Sequence, residues 1–185
     1  MTEALWLTVM GNYPTDSERK GDNSPMYYVS WSDIVGTNSS EVGYEANGVT
    51  YYKNGFCYRL SELIGGSKKF CLPADEEWES IAKQECKIEQ RGSNIEKNIE
   101  ISTSGVIHEW CSDACNWGKC ENCGFEGSDK RKYRDCRVQR SICYNWYVEY
   151  GEKPYYIYGY NNCRPDTRGW GYGFRLCLYE KDLID

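Results

Sequence analysis

The chain has 185 residues, 40% of them hydrophobic and 27% charged, with a net charge of −6, which is the balance of one globular domain large enough to bury its own core. That acidic surface argues against a nucleic-acid partner, which would need a basic stripe to displace counterions. No run approaches the ~20 apolar residues of a membrane span, so none is expected.

The opening MTEALWLTVMGNY has no basic region followed by an apolar core, so no signal peptide is expected. The default placement is the cytoplasm; a truncated start would instead allow a bacterial or phage surface. VGTNSSEVGYEANGV (Val35–Val49) is polar and glycine-rich and reads as a loop. NGFCYRLSELIGG is a helix candidate, with Phe56, Leu60, Leu63 and Ile64 as its apolar face and Gly65–Gly66 as its end. LPADEEWESIAKQ (Leu72–Gln84) is the clearest helix: Pro73 and Asp75 open it, acidic residues fill its first turn, and Trp78, Ile81 and Ala82 share a face.

Beyond these, short aromatic or β-branched runs are cut by Gly, Asn, Asp and Pro, the pattern of short strands and ordered loops. The segment Cys111–Cys136 reads as an insertion with five cysteines in twenty-six residues. Its KRKYR run (Lys130–Arg134) reads as a solvated loop. Cys111, Cys115, Cys120 and Cys123 have the spacing of a moderate zinc signal; disulfides and free thiols compete with that reading. In each case the expected role is stapling the loop.

Four landmarks in fixed order are similar to motifs of the formylglycine-generating enzyme family, the sulfatase-modifying factor domain. They are TEALWLTVMGNYPT with KGDNSPMYYVSWSDI; FCYRLSELIGGSKKFCLPADEEWESIAK; GVIHEWCSD, similar to "GNVWEWCSD"; and RVQR (Arg137–Arg140) with PDTRGWGYGFRLCL, similar to "RVxRGGSW … PDxRxxxxGFRL". The resemblance covers nearly the whole chain and implies a single domain, residues 1–185. Its implied fold is α+β and C-type-lectin-like, with a small antiparallel sheet, two helices and extensive loops. Met1 stands where relatives carry the valine of "VTxALW" after a further strand region, so the N-terminal strand region is expected to be missing here.

Enzymes of this family oxidise a sulfatase cysteine with a copper-binding cysteine pair five residues apart, soft thiolates suited to Cu(I). The corresponding positions are Tyr147 and Glu152 counted back from Pro165, or Trp146 and Gly151 counted forward from Arg137. Neither register supplies a cysteine, and Ser141 and Ile142 replace the glycine pair of RGGSW. Catalysis by the family's route is therefore not expected. The alternative is an oxidoreductase using copper on a displaced pair, Cys143 and Cys163. His108, the only histidine, replaces the first Trp of the WEW motif and is expected to be partly buried and hydrogen-bonded. Val106 replaces an asparagine that helps hold calcium in many relatives, and its alkyl chain offers no oxygen to a hard cation.

The segment YNWYVEYGEKPYYIYGYNNC, from Tyr144 to Cys163, is crowded with tyrosine. Related proteins include variable receptors of diversity-generating retroelements, in which this segment is the diversified ligand-binding face. The resemblance thus implies a non-catalytic, receptor-type domain with no cofactor, taking a protein or carbohydrate ligand. Its expected contacts are Tyr144, Trp146, Tyr147, Glu149, Tyr150, Tyr155, Tyr156, Tyr158, Tyr160, Asn161, Asn162, Arg168, Trp170 and Tyr172. Tyr and Trp give rigid amphipathic contact area at low entropic cost, and Asn and Gly give adaptable hydrogen bonding. The alternation in YYIYGY equally fits a half-buried strand.

Overall fold

The computed structural model describes residues 1–14, 20–82, 108–115, 136–145 and 155–179, with side chains for all of these except 142–145 and 155–162. Helix α1, Glu3–Met10, starts where the Thr2 hydroxyl accepts the Leu5 N–H and stops at Gly11 in the left-handed region. Helix α2, Trp31–Val35, is opened by a reciprocal cap: Ser30 accepts the Asp33 N–H at 3.1 Å, and Asp33 accepts the Ser30 N–H at 2.8 Å.

The stretch expected to be a loop from Val35 to Val49 is partly a hairpin. Strand β1 (Val42–Ala46) turns through Asn47 and Gly48 into β2 (Val49–Tyr52). Asn47 and Gly48 both have positive φ, 47° and 69°, the tight-turn geometry that matches the twist of paired strands.

Helix α3 spans Phe56–Leu63. Its expected apolar face is only half right. Phe56 and Leu60 are buried, but Leu63 and Ile64 are 58% and 45% exposed, and Cys57 and Ser61 point inward instead. The helix ends at Leu63 with Ile64 as its C-cap, so the last two apolar positions fall on its final residue and cap. Buried Ser61 is satisfied by donating to the Cys57 carbonyl at 2.8 Å and accepting the Phe70 N–H at 3.0 Å. Strand β3 (Lys69–Cys71) follows, then helix α4, helical over residues 75–82. As expected, Trp78 and Ala82 are buried, against Cys111 and Val138, whereas Ile81, expected on the same face, is only half-buried.

The remaining elements are β4 (His108–Ala114), β5 (Arg137–Asn145), β6 (Tyr155–Cys163), β7 (Tyr172–Gly173) and β8 (Cys177–Tyr179). The sheet order is β6-β5-β4-β7, with β7 parallel to β4 and the other pairs antiparallel; β3 pairs with β8 separately. This is an α+β arrangement, with four helices among the described residues where the resemblance implied two.

The main core is aromatic. Trp6 stacks flat on Phe56 at 5.0 Å, and Phe174 meets both rings edge-on at 6.1 and 5.4 Å. Buried indoles also stitch strands to loops through single hydrogen bonds. Trp110 donates to the Val29 carbonyl at 2.9 Å and Trp31 to the Cys111 carbonyl at 3.1 Å, so residues 29–31 are fixed against β4. Among the described residues, no helix is long and apolar enough to cross a membrane.

Candidate functional site

The tyrosine-rich segment lies largely on a long hairpin at the edge of the four-stranded order. Strands β5 and β6 pair over nine positions, from Arg137 opposite Cys163 to Asn145 opposite Tyr155. Tyr144 faces Tyr156, while Tyr158, Tyr160, Asn161 and Asn162 face Ile142, Arg140, Gln139 and Val138. The strand reading of YYIYGY thus holds for the backbone. Trp146, Tyr147, Glu149, Tyr150, Gly151 and Glu152 lie outside the described residues, as does Val106.

The base of the hairpin is held firmly. Val138 and Gln139 are fully buried. Arg140 ion-pairs with Asp75, and with Glu79 at 3.0 Å, locking β5 to the start of α4. That start is itself pinned: Asp113 of β4 accepts the Asp75 N–H at 2.6 Å.

The turn after Pro165 carries Arg168 and Trp170 and leads into Tyr172 at the start of β7, and these three remaining candidates differ in role. Trp170 is 58% exposed. Its ring lies 5.3 Å from Tyr28 and 6.0 Å from Tyr27, both tilted to it, and Lys20 sits 4.6 Å over the Tyr27 ring. Tyr28 has φ 63°, a left-handed conformation that a bulky residue adopts only when its surroundings impose it. Tyr27 and Tyr28 were not in the expected contact set. Their chain position gives no sign that they reach Trp170.

Arg168 forms two hydrogen bonds to Asp33, at 2.9 and 2.6 Å, and so clamps the turn to α2. Tyr172, expected on the ligand face, is half-buried and turned toward the core. Its ring meets Trp110 edge-on at 5.7 Å, and its hydroxyl lies 3.2 Å from the Cys163 thiol. Burial, with the Cys163 thiol beside it, pushes the Tyr172 phenol up to about 12.

His108 is half-buried and lies 6.1 Å from the Tyr172 ring, edge-on. The hydrogen-bonded state expected for it is not met at Nδ1, which finds no partner among the described residues. Burial holds its pKa below the ordinary 6.5. Its neighbour Glu109 accepts from the Trp78 indole at 2.6 Å and from Arg175 at 2.5 Å, tying β4 to α4 and to the GFR segment.

The displaced cysteine pair fails on register. Cys143 faces Ile157, and the strand from Ile157 to Cys163 covers about 20 Å. That is far beyond the reach of one disulfide or one metal ion. Of the zinc alternative, Cys111 is fully buried in the small apolar cluster with Trp78, Ala82 and Val138, and burial drives its thiol far above its ordinary value. Cys120 and Cys123 lie outside the described residues. Among the described residues no three His, Cys, Asp or Glu side chains are grouped to hold a metal.

Compared with models of protein families, with curated proteins and with solved structures, the chain matches none.

Proposed function

We propose that this chain is a non-catalytic ligand-binding domain of the formylglycine-generating-enzyme-like, C-type-lectin-like kind. In this reading its aromatic face, from Tyr144 to Trp170, takes a protein or carbohydrate ligand. The observation that carries it is the contrast between Trp170 and its neighbours. Arg168 and Tyr172 fix the turn to α2 and to Trp110, while Trp170 between them is left largely in solvent beside Tyr28. A large amphipathic ring on a rigid mount is a typical interface anchor. Retroelement diversification of this face belongs to the same reading; its sign would be an adenine-variant repeat and a reverse transcriptase in the flanking DNA.

The test is binding of the purified chain to a glycan panel and a displayed peptide library, repeated with Trp170→Ala and Tyr156→Ala. Ligands retained by the wild type and lost by both variants at unchanged melting temperature support the reading. Binding that survives both substitutions would move the site elsewhere. A stoichiometric Cu(I) site abolished by Cys143→Ser would overturn the non-catalytic assignment.

A further inference from the structure

Two pairs of cysteines stand opposite one another, one across paired antiparallel strands and one a single step past the end of such a pair. In β3–β8 the register sets Cys71 against Cys177, and the Cys71 sulfur lies 3.8 Å from the Cys177 carbonyl oxygen. At the end of β4–β5, Ala114 faces Arg137. One step further along, the Cys115 N–H donates to the Cys136 carbonyl at 2.9 Å, so those two residues are opposed in turn. Opposed residues of an antiparallel pair have Cα atoms roughly 4.5–5.5 Å apart, inside the ~4.4–6.8 Å range that a disulfide spans. Opposed side chains also leave the same face of the sheet, so neither pair needs the backbone to rotate.

We propose that Cys71–Cys177 and Cys115–Cys136 are two disulfide-forming pairs. The first ties β8 to the middle of the chain, and the second closes the neck of the cysteine-rich segment. This is independent of the ligand-binding reading. It also takes Cys115 out of a four-cysteine zinc set, because a bridged sulfur has no thiolate to give a metal.

The oxidant is a small-molecule disulfide such as oxidised glutathione. Cys71 is buried and Cys177 half-buried, so Cys177 reacts first. Its thiolate attacks one glutathione sulfur, forms a mixed disulfide and releases one glutathione thiolate. Cys71 then loses its proton and attacks the Cys177 sulfur, expelling the second glutathione thiolate. Two protein thiols have given up two electrons and two protons, and one glutathione disulfide has become two thiols. The same exchange at the neck joins Cys115 to Cys136. Burial lifts the Cys71 thiol to about 12 and Cys177 above its ordinary value. Bridging of the first pair therefore accelerates as pH rises from 7 to 9.

The full chain is equilibrated with oxidised glutathione, alkylated, digested without reduction and mapped by mass spectrometry. Peptides linking Cys71 to Cys177 and Cys115 to Cys136 are expected, both disappearing after dithiothreitol. Cys177→Ser removes only the first link and Cys136→Ser only the second. Oxidation should raise the wild-type melting temperature by ~10 °C. Alkylation of both members of a pair after equilibration overturns the assignment for that pair. So does a bridge from Cys71 to Cys57, or from Cys115 to Cys111, Cys120 or Cys123. The wild-type map decides the matter alone if a serine variant fails to fold.

Discussion

Trp78 and Glu109 come from separate parts of the chain and meet at 2.6 Å, indole N–H to carboxylate. Arg175 reaches the same oxygen, and its guanidinium lies 5.5 Å from the centre of the Trp78 ring. One carboxylate therefore joins α4, β4 and the segment leading into β8. Glu109→Ala removes the acceptor of the Trp78 indole and one partner of Arg175, and is expected to cost about 2–4 kcal/mol. Glu109→Gln keeps one acceptor and should cost less. Urea unfolding midpoints of the two variants measure the difference.

Two tryptophans should behave in opposite ways. Trp110 is fully buried and donates to the Val29 carbonyl, so Trp110→Ala is expected to cost about 3–5 kcal/mol. Trp170→Ala removes a largely exposed ring and should leave stability within about 1 kcal/mol. Thermal unfolding of both, side by side, reads this contrast. Equal losses would mean that the Trp170 ring is part of the packing.

His108 makes stability depend on pH. Its folded pKa lies below the unfolded 6.5 because burial disfavours the imidazolium. The unfolded chain therefore binds more protons below about pH 6.5, and stability falls as pH drops through that point toward the folded pKa. His108→Phe removes this contribution. Urea midpoints at pH 7.5 and 5.5 should differ more for the wild type than for the variant.

Gly55 lies against the end of α2. A Cβ added there would stand 2.4 Å from the Gly36 nitrogen and 2.4 Å from the Val35 carbonyl carbon, both backbone atoms. Gly55→Ala must push α2 away from α3 and is expected to cost about 2–4 kcal/mol. Gly48→Ala meets nothing within 4 Å but keeps φ at 69°, so it should cost only about 1 kcal/mol. Paired thermal melts of these variants distinguish a steric clash from backbone strain.

Helix α4 was legible because its cap, acidic first turn and apolar spacing agree, and its buried Trp78 and Ala82 match them. Helix α2 went unseen, although Ser30 followed three residues on by Asp33 is a capping signature. The β1–β2 hairpin was masked by polar composition; its Asn47–Gly48 pair is the local signal that outweighs composition. In α3, spacing favoured Leu63 and Ile64, but the buried positions include Ser61 because tertiary hydrogen bonds satisfy its hydroxyl. At the candidate site, the identities of Trp170 and Arg168 could be read from the chain. Their division into exposed ring and clamp could not, because Asp33 and Tyr28 approach only through the fold.

The stacked pair Trp6–Phe56 is closed edgewise by Phe174, which follows Trp6 by 168 residues. During synthesis the two earlier rings can meet, but their third wall is still inside the ribosome. The nascent chain thus carries an unfinished apolar face until Phe174 emerges, and contacts of such long sequence separation form slowly. Yield in a cell should therefore respond to chaperone supply and to codon speed between Phe56 and Phe174. Substitutions that never touch the aromatic face can then still govern how much of it is made.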